Sequence, residues 1–476
     1  MTTELVKLQV SVRPLQLDEA TVVSIFQNIR ERYPVVLLLE GAEYIADNNS
    51  FSYIGADPIA EIKIVNNQIQ TRVGQNFQSH EIGVQTGEVL ESLKVFKSQF
   101  IPAGDSLPSG CINGLFGYLS YDCVRYFESV ELKVDYDHEV YIPEATYYLF
   151  RWILCIDHYH HRVYLVHNRL ESDEAPTAQE IIEFQQLIQS SSKKTGSSFE
   201  VLQAESSEMS EDQHLALIEN CKKHIFRGDV FQIVASRRFS VDYRGDDFEV
   251  YRALRSVNPS PYMFYLDTGN FRIFGSSPEA ELIVQKTKAE LHPIAGTVLR
   301  SGDPSEDAAR TQKLLADPKE NSEHVMLVDL ARNDLSRHCH SVQVETFREV
   351  QTYSHVIHLV SKVSGTLSSA VDCLDLLADT FPAGTLSGAP KFKAMTLLNQ
   401  YEPSQRGCYG GAVGFLGFDN SCKHAIIIRS FLSKGRKLFY QAGAGIVADS
   451  NPDSEVQEVR NKLMALGRAI HVAANK

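Results

Sequence analysis

Two periods of hydrophobicity alternate along this chain, one of two residues and one near four, and together they predict a mixture of strands and helices. A continuous apolar run at 35–40 predicts a buried strand, and a strand resumes at 51–54 after a polar loop. Gly55-Ala-Asp-Pro58 is expected to turn the chain before a hairpin of 59–65 and 68–73, joined through Asn66 and Asn67. Helical spacing covers 88–100, and 114–121 is strand-like again. Residues 146–157 and 162–167 read as paired strands around a His-rich turn, and 177–189 as a helix. The polar, Ser-rich stretch 190–198 is the best linker in the chain. It suggests an N-terminal region at 1–190, a linker at 191–209 and a second region at 210–476.

The second region opens with a helix at 210–226 capped by Ser210, a strand at 230–237, and a helix at 248–257 stopped by Asn258-Pro259. Strands follow at 262–267 and 271–274, and Gly275-Ser-Ser-Pro-Glu279 is a turn that carries an acid. Residues 342–350 and 356–365 look extended. Residues 381–390 form a loop of small residues before a helix starting at Pro390; it suits either backbone approach to a ligand or a plain turn. The glycine-punctuated stretches 409–414, 425–429 and 441–446 read as strands. Backbone N–H groups at Gly443, Ala444 and Gly445 suit a carboxylate, and close strand packing explains the same glycines.

Two helices share an unusual pattern. Asp317 caps and Pro318 starts one, placing Glu320, Glu323, Leu327 and Leu330 on a single stripe. Asn451 caps and Pro452 starts the other, with Glu455, Glu458, Lys462 and Leu466 on its stripe. A single E-x-x-E pair is usually a solvated helix face. Two matching pairs raise a second reading, in which the carboxylates converge on a hard, oxygen-liking cation such as Mg²⁺. Spacing alone leaves both open.

Size and charge narrow the classes. A chain of 476 residues suggests two or three domains, and 43% hydrophobic with 22% charged residues is ordinary for a globular protein. Net charge is −14 without a basic run, which argues against nucleic acid as a partner. The first residues hold no signal-peptide core, and no apolar run is long enough to span a membrane. Eight scattered cysteines without a C-x-x-C pair fit reduced thiols in the cytoplasm. His338 and His340, and His158, His160 and His161, are too closely spaced for a standard zinc site.

The motifs taken together resemble component I of anthranilate synthase, within the chorismate-utilising enzymes. They are His292-Pro-Ile-Ala-Gly-Thr297, residues 323–334, Tyr353-Ser-His-Val-Ile-His358, 381–391, Tyr409-Gly-Gly-Ala-Val-Gly414, and 441–449 with the second acidic helix. They stand in family order across 210–470, and the N-terminal half matches more loosely at 37–40, 52–55 and 114–121. The resemblance implies an α/β (α+β) fold of two large, mostly antiparallel sheets packed together with helices outside, and a regulatory role for the N-terminal region. It also implies the conversion of chorismate and ammonia to anthranilate and pyruvate with Mg²⁺, in tryptophan biosynthesis. By the same resemblance Glu323 and Glu458 hold the metal, with Glu320 and Glu455 outside them. Glu279 protonates the departing hydroxyl, and His358 serves the elimination. As a lone strand histidine, His358 reads equally well as a hydrogen-bonded core residue. Tyr409 and Arg429 hold the enolpyruvyl carboxylate. Gly296, Thr297, Thr385 and the 443–445 amides complete the anion cradle, and Lys462 is a local counter-charge.

Departures from sister enzymes refine the expectation. Aminodeoxychorismate synthases carry a nucleophilic Lys where this chain has Ala295, and isochorismate synthases carry a Lys base where it has Gln232. Both differences favour amination at C2 over those activities. A non-catalytic amino-acid-binding regulator is also disfavoured, since all four helix acids, His358 and Arg429 are present. No G-x-C-x-G elbow surrounds any cysteine, so ammonia is expected from a glutamine amidotransferase subunit, in a heterodimer or a pair of such dimers. The family's tryptophan site maps to Glu40, Gly41, Pro261, Tyr262 and Met263, with Gly41 where the family carries Ser. Weakened tryptophan inhibition is the expectation.

Overall fold

The computed structural model describes residues 5–16, 20–41, 51–83, 87–174, 177–190, 198–352 and 356–475. The core of the expected linker, 191–197, and the stretch Tyr353-Ser354-His355 lie outside them.

Two strands organise the rest. Phe51–Val65 pairs with Ala145–Asp157 along nearly its whole length, with a register break between Pro58 and Ala60. The first part of Phe51–Val65 and the last part of Ala145–Asp157 belong to one sheet and their remainders to another, because a bulge bends the strand that contains it. In the first sheet the order runs from Phe100–Gly104 through Val6–Leu15, Arg162–Leu170, Ala145–Asp157, Phe51–Val65, Val36–Gly41, Tyr262–Asp267, Phe271–Ser277, Ser430–Lys434 and Lys437–Ile446 to Gln232–Gly245. In the second, Gln68–Val73 lies on one side of the pair. On the other, Gly114–Leu119, Ala412–Gly417, Cys422–Ile426, Ala280–Gln285, Lys288–Leu291 and Val356–Leu367 follow in turn. Among the described residues, pairings are antiparallel except between Val6–Leu15 and Phe100–Gly104. The expected turn at 55–58 is therefore a continuous strand. Gly55 is required there because a Cβ would stand 2.3 Å from the Phe150 ring.

The alternation of each strand divides its side chains between two cores. Leu37, Phe264 and Ile273 from the first sheet meet Phe116, Tyr147 and Phe415 from the second, filling the space between sheets. Leu38, Tyr265 and Phe274 point the other way, under helices Val22–Arg32, Phe248–Val257 and Pro452–Ala474. Both cores draw on both halves of the sequence, as strand Tyr262–Asp267 paired with Val36–Gly41 makes plain.

Candidate active site

Glu279 lies in the break between strands Phe271–Ser277 and Ala280–Gln285. It is buried, and its Oε1 accepts a 3.2 Å hydrogen bond from Thr385 Oγ1 on the short helix Gly384–Ser387. Burial pushes this carboxyl up to about 8, tempered by Thr385, the Ile294 backbone, and the charges of Arg429 and Lys462. At neutral pH it is a protonated acid in a pocket with cations nearby.

His358 lies on Val356–Leu367, opposite Thr297 in the register with Ile294–Leu299. A bulge between Ala295 and Thr297 puts Gly296 at φ +84, and the Gly296 backbone hydrogen-bonds the His358 ring. Burial, with Arg429 adding to it, lowers His358 to about 4, so the ring is neutral at pH 7. Arg429 is not in a strand, as the sequence had suggested; it bridges Cys422–Ile426 and Ser430–Lys434 at φ +48. Burial lowers its pKa and Glu279 counters that.

Tyr409 is buried, and its hydroxyl stands against the Gly443 backbone, where a Cβ would come within 3.1 Å. Gly443, Ala444 and Gly445 belong to Lys437–Ile446 and pair with Ser236, Ala235 and Val234. This corrects the expected cradle of successive amides: along an extended strand, neighbouring N–H groups point to opposite edges. Lys462 Nζ donates to the Gly443 carbonyl at 2.8 Å and pairs with Glu458 at 2.8 Å.

Both acidic helices form as their caps dictate. Glu320 N–H donates to Asp317 Oδ1, and Asn451 accepts from Ser454 N–H. Helix Pro452–Ala474 packs on strand Lys437–Ile446, and Glu323 of helix Pro318–Ser336 reaches the same strand. A Cβ at Gly445 would stand 3.1 Å from Glu323 Oε1, which also accepts from the Gln232 amide. A Cβ at Gly296 would stand 3.2 Å from Glu320 Oε2. Glu455 is buried and Glu458 lies a turn beyond it. Among the described residues no three metal-binding side chains stand together as a ready ligand set. The carboxylate donors and the space kept beside them by Gly296 and Gly445 fit a hard cation that retains waters, as Mg²⁺ does.

The residues expected to bind an amino acid are neighbours in the fold. Gly41 pairs with Tyr262 and Glu40 with Met263 across adjacent strands, and with Pro261 they line one cavity. Sequence reasoning missed how Glu40 is held: Arg255 reaches it at 2.6 Å and the Tyr251 hydroxyl at 3.0 Å. It also missed Ser52, whose Oγ accepts from Gly41 N–H at 3.2 Å and bonds His158 Nε2 at 2.7 Å. A third omission is Glu281, buried two residues past Glu279; an acid inside the apolar run 280–284 was its only signal.

Comparison with known proteins agrees with this geometry. Residues 42–468 match the chorismate binding enzyme family. The chain is 38% identical to anthranilate synthase component 1 of Neisseria gonorrhoeae, covering 96% of this chain and 94% of that one. It is 36% identical to the Aquifex aeolicus protein of the same name, with the same coverage of 96% and 94%. The crystal structure of anthranilate synthase component I from Streptococcus pneumoniae superposes with a TM-score of 0.75 at 30% identity, over 89% of this chain and 94% of that one. The menaquinone-specific isochorismate synthase MenF from Escherichia coli shares the fold at TM-score 0.75 and 19% identity, over 98% and 95%. The chain belongs to the chorismate-binding enzyme family and, within it, to the anthranilate synthase component I group.

Proposed function

We propose that this chain converts chorismate and ammonia to anthranilate and pyruvate. The observation that carries the reading is the buried Glu279, held by Thr385 and pushed up to about 8. A carboxyl protonated at neutral pH can donate to the C4 hydroxyl as it departs. Arg429, partly buried beside it, suits a substrate carboxylate through charged hydrogen bonds, and Tyr409 adds a hydroxyl. His358, kept neutral by burial, can accept the ring proton lost when the enolpyruvyl group leaves as pyruvate. Glu323 and Glu458, with Glu320 and Glu455 beyond them, are the residues that would hold Mg²⁺. Bound there, the ion supplies Lewis-acid polarisation of the ring carboxylate. Ala295 and Gln232 offer neither a lysine nucleophile nor a lysine base, and Gln232 is already committed to Glu323.

Ammonia would come from a glutamine amidotransferase subunit in a heterodimer or heterotetramer. All eight cysteines are free and seven are buried, which leaves little for a glutaminase nucleophile here. Tryptophan is proposed to bind at Glu40, Gly41 and Tyr262, more weakly than in a relative with Ser in place of Gly41; Glu40 there pairs with Arg255. No described helix is long and apolar enough to cross a membrane, and a cytoplasmic location fits the proposed reaction. Incubating the pure chain with chorismate, Mg²⁺ and ammonium should yield anthranilate fluorescence, whereas glutamine alone should not. Mass spectrometry finding 4-amino-4-deoxychorismate as the main product would overturn the assignment.

A further inference from the structure

A second cavity adjoins Glu279. Its volume is about 40 Å³. A water needs roughly 10–15 Å³ on that scale. It therefore takes one to a few molecules of water size. Glu279 and Thr385 form its shared wall with the site above, whereas His358, Tyr409, Arg429 and Gly443 do not line it. Leu327, Leu330 and Leu291 supply apolar walls.

Glu281 faces this space. It sits at the register break between Ala280 and Leu282, where a bulge re-aims a side chain that simple alternation would place elsewhere. It is 3% exposed, and neither carboxyl oxygen has a hydrogen-bond partner among the described residues. The nearby Ala383 backbone tempers its pKa without reaching hydrogen-bond geometry. Burial pushes the group up to about 8; the charge of Lys391 counters the rise, and Glu279 and Asp334 add to it. Two neighbouring polar side chains are already matched. Asp334 bonds Lys391 at 3.1 Å, and His292, also on the wall, bonds Glu290 at 3.2 Å. Leaving a buried carboxyl without a partner is costly, and groups so placed call for an explanation.

We propose that this cavity is an ammonium-binding and deprotonation site, with Glu281 as its ligand and proton acceptor. The inference rests on the proposed use of ammonia and adds where the nucleophile is held. Ammonium offers N–H donors to the ionised form of Glu281, the minor form at neutral pH, whose proton has first passed to water, and it fits the volume. One N–H bond breaks and one O–H bond forms at Glu281, leaving ammonia with its lone pair and a neutral acid. Low dielectric favours this neutral pair over two separated charges. Ammonia then passes the Glu279–Thr385 wall to the ring. The Glu281 proton returns to water before the next ammonium enters.

The test compares the wild type with Glu281→Gln and Glu281→Leu, at saturating chorismate and Mg²⁺ and with ammonium varied. At pH 7 the KM for ammonium should rise about tenfold or more, the value of one charged hydrogen bond, while the KM for chorismate holds. Near pH 9.5, where free ammonia is abundant, the gap should narrow. The melting temperature of the Leu variant should equal or exceed that of wild type, since an unpaired buried acid is removed. An unchanged ammonium KM in both variants overturns the inference and leaves the anthranilate reading intact. Should the wild type make no anthranilate, crystals soaked in thallium(I), an ammonium-sized cation, still decide the site. Anomalous density at Glu281 that is lost in the Gln variant supports it, and water alone there overturns it.

Discussion

Glu279 and Glu40 are carboxyls of nearly equal burial, 8% and 6% exposed, set at strand ends in the first sheet's neighbourhood. Their company separates them. Glu40 has a guanidinium at 2.6 Å and a phenol at 3.0 Å, a pairing that ties strand Val36–Gly41 to helix Phe248–Val257. Glu279 has a threonine hydroxyl and feels its cations only at longer range, so burial dominates and it keeps its proton. Depth alone does not make a general acid; the absence of a close counter-ion does.

Breaking each side of that comparison gives graded effects. Glu279→Gln should have the largest, lowering kcat by about 10²–10⁴-fold, the usual share of a general acid. Its stability should move oppositely. The carboxyl rises from 4.5 unfolded to about 8 folded, so the folded state holds the extra proton between those values. Wild-type stability therefore falls as pH rises through that window, and the Gln variant should show a flatter profile in urea unfolding. Next, Glu323→Gln and Glu458→Gln should each cost on the order of a hundredfold in rate with a raised Mg²⁺ requirement. Normal turnover of either in excess chelator would refute the metal assignment. On the other side, Arg255→Ala leaves Glu40 buried with only Tyr251, for a loss of about 1–3 kcal/mol. The lower part of that range is expected because Arg255 is 42% exposed. Glu40→Gln in the same background should recover part of it. Smallest is Gly41→Ser, expected to tighten tryptophan inhibition about threefold to tenfold through one hydroxyl. Ser52 already supplies a hydroxyl at the Gly41 amide, so equal inhibition constants would show that it does this work.

Elements with strong ends were legible in the sequence. Helix Phe248–Val257 matches its expected bounds because an apolar face is closed by Asn258-Pro259. Asn66 and Asn67 both adopt positive φ, as the hairpin required. The 55–58 segment was misread because the same Gly, Asp and Pro suit a turn or a bulge, and only the partner strand decides. Helices Pro304–Ala316 and Cys373–Thr380 went unread. The first buries only Asp307 and Leu314, so it carries almost no apolar stripe. The second runs barely two turns, too few for a period to show. At the site, the two acidic helices announced themselves by caps and spacing. Arg255, Ser52 and Glu281 did not, because their roles come from strands and helices that meet only in the fold.

The central claim is that Glu279 works as a buried, protonated acid in anthranilate formation. Its most direct test is anthranilate fluorescence across pH 6 to 9.5 with chorismate, Mg²⁺ and free ammonia held constant, for wild type and Glu279→Gln. The account predicts wild-type activity that declines as pH passes about 8 and a Gln variant reduced at least a hundredfold with its melting temperature kept. A Gln variant as active as wild type, or wild-type activity that keeps rising through that pH at constant ammonia, would contradict it.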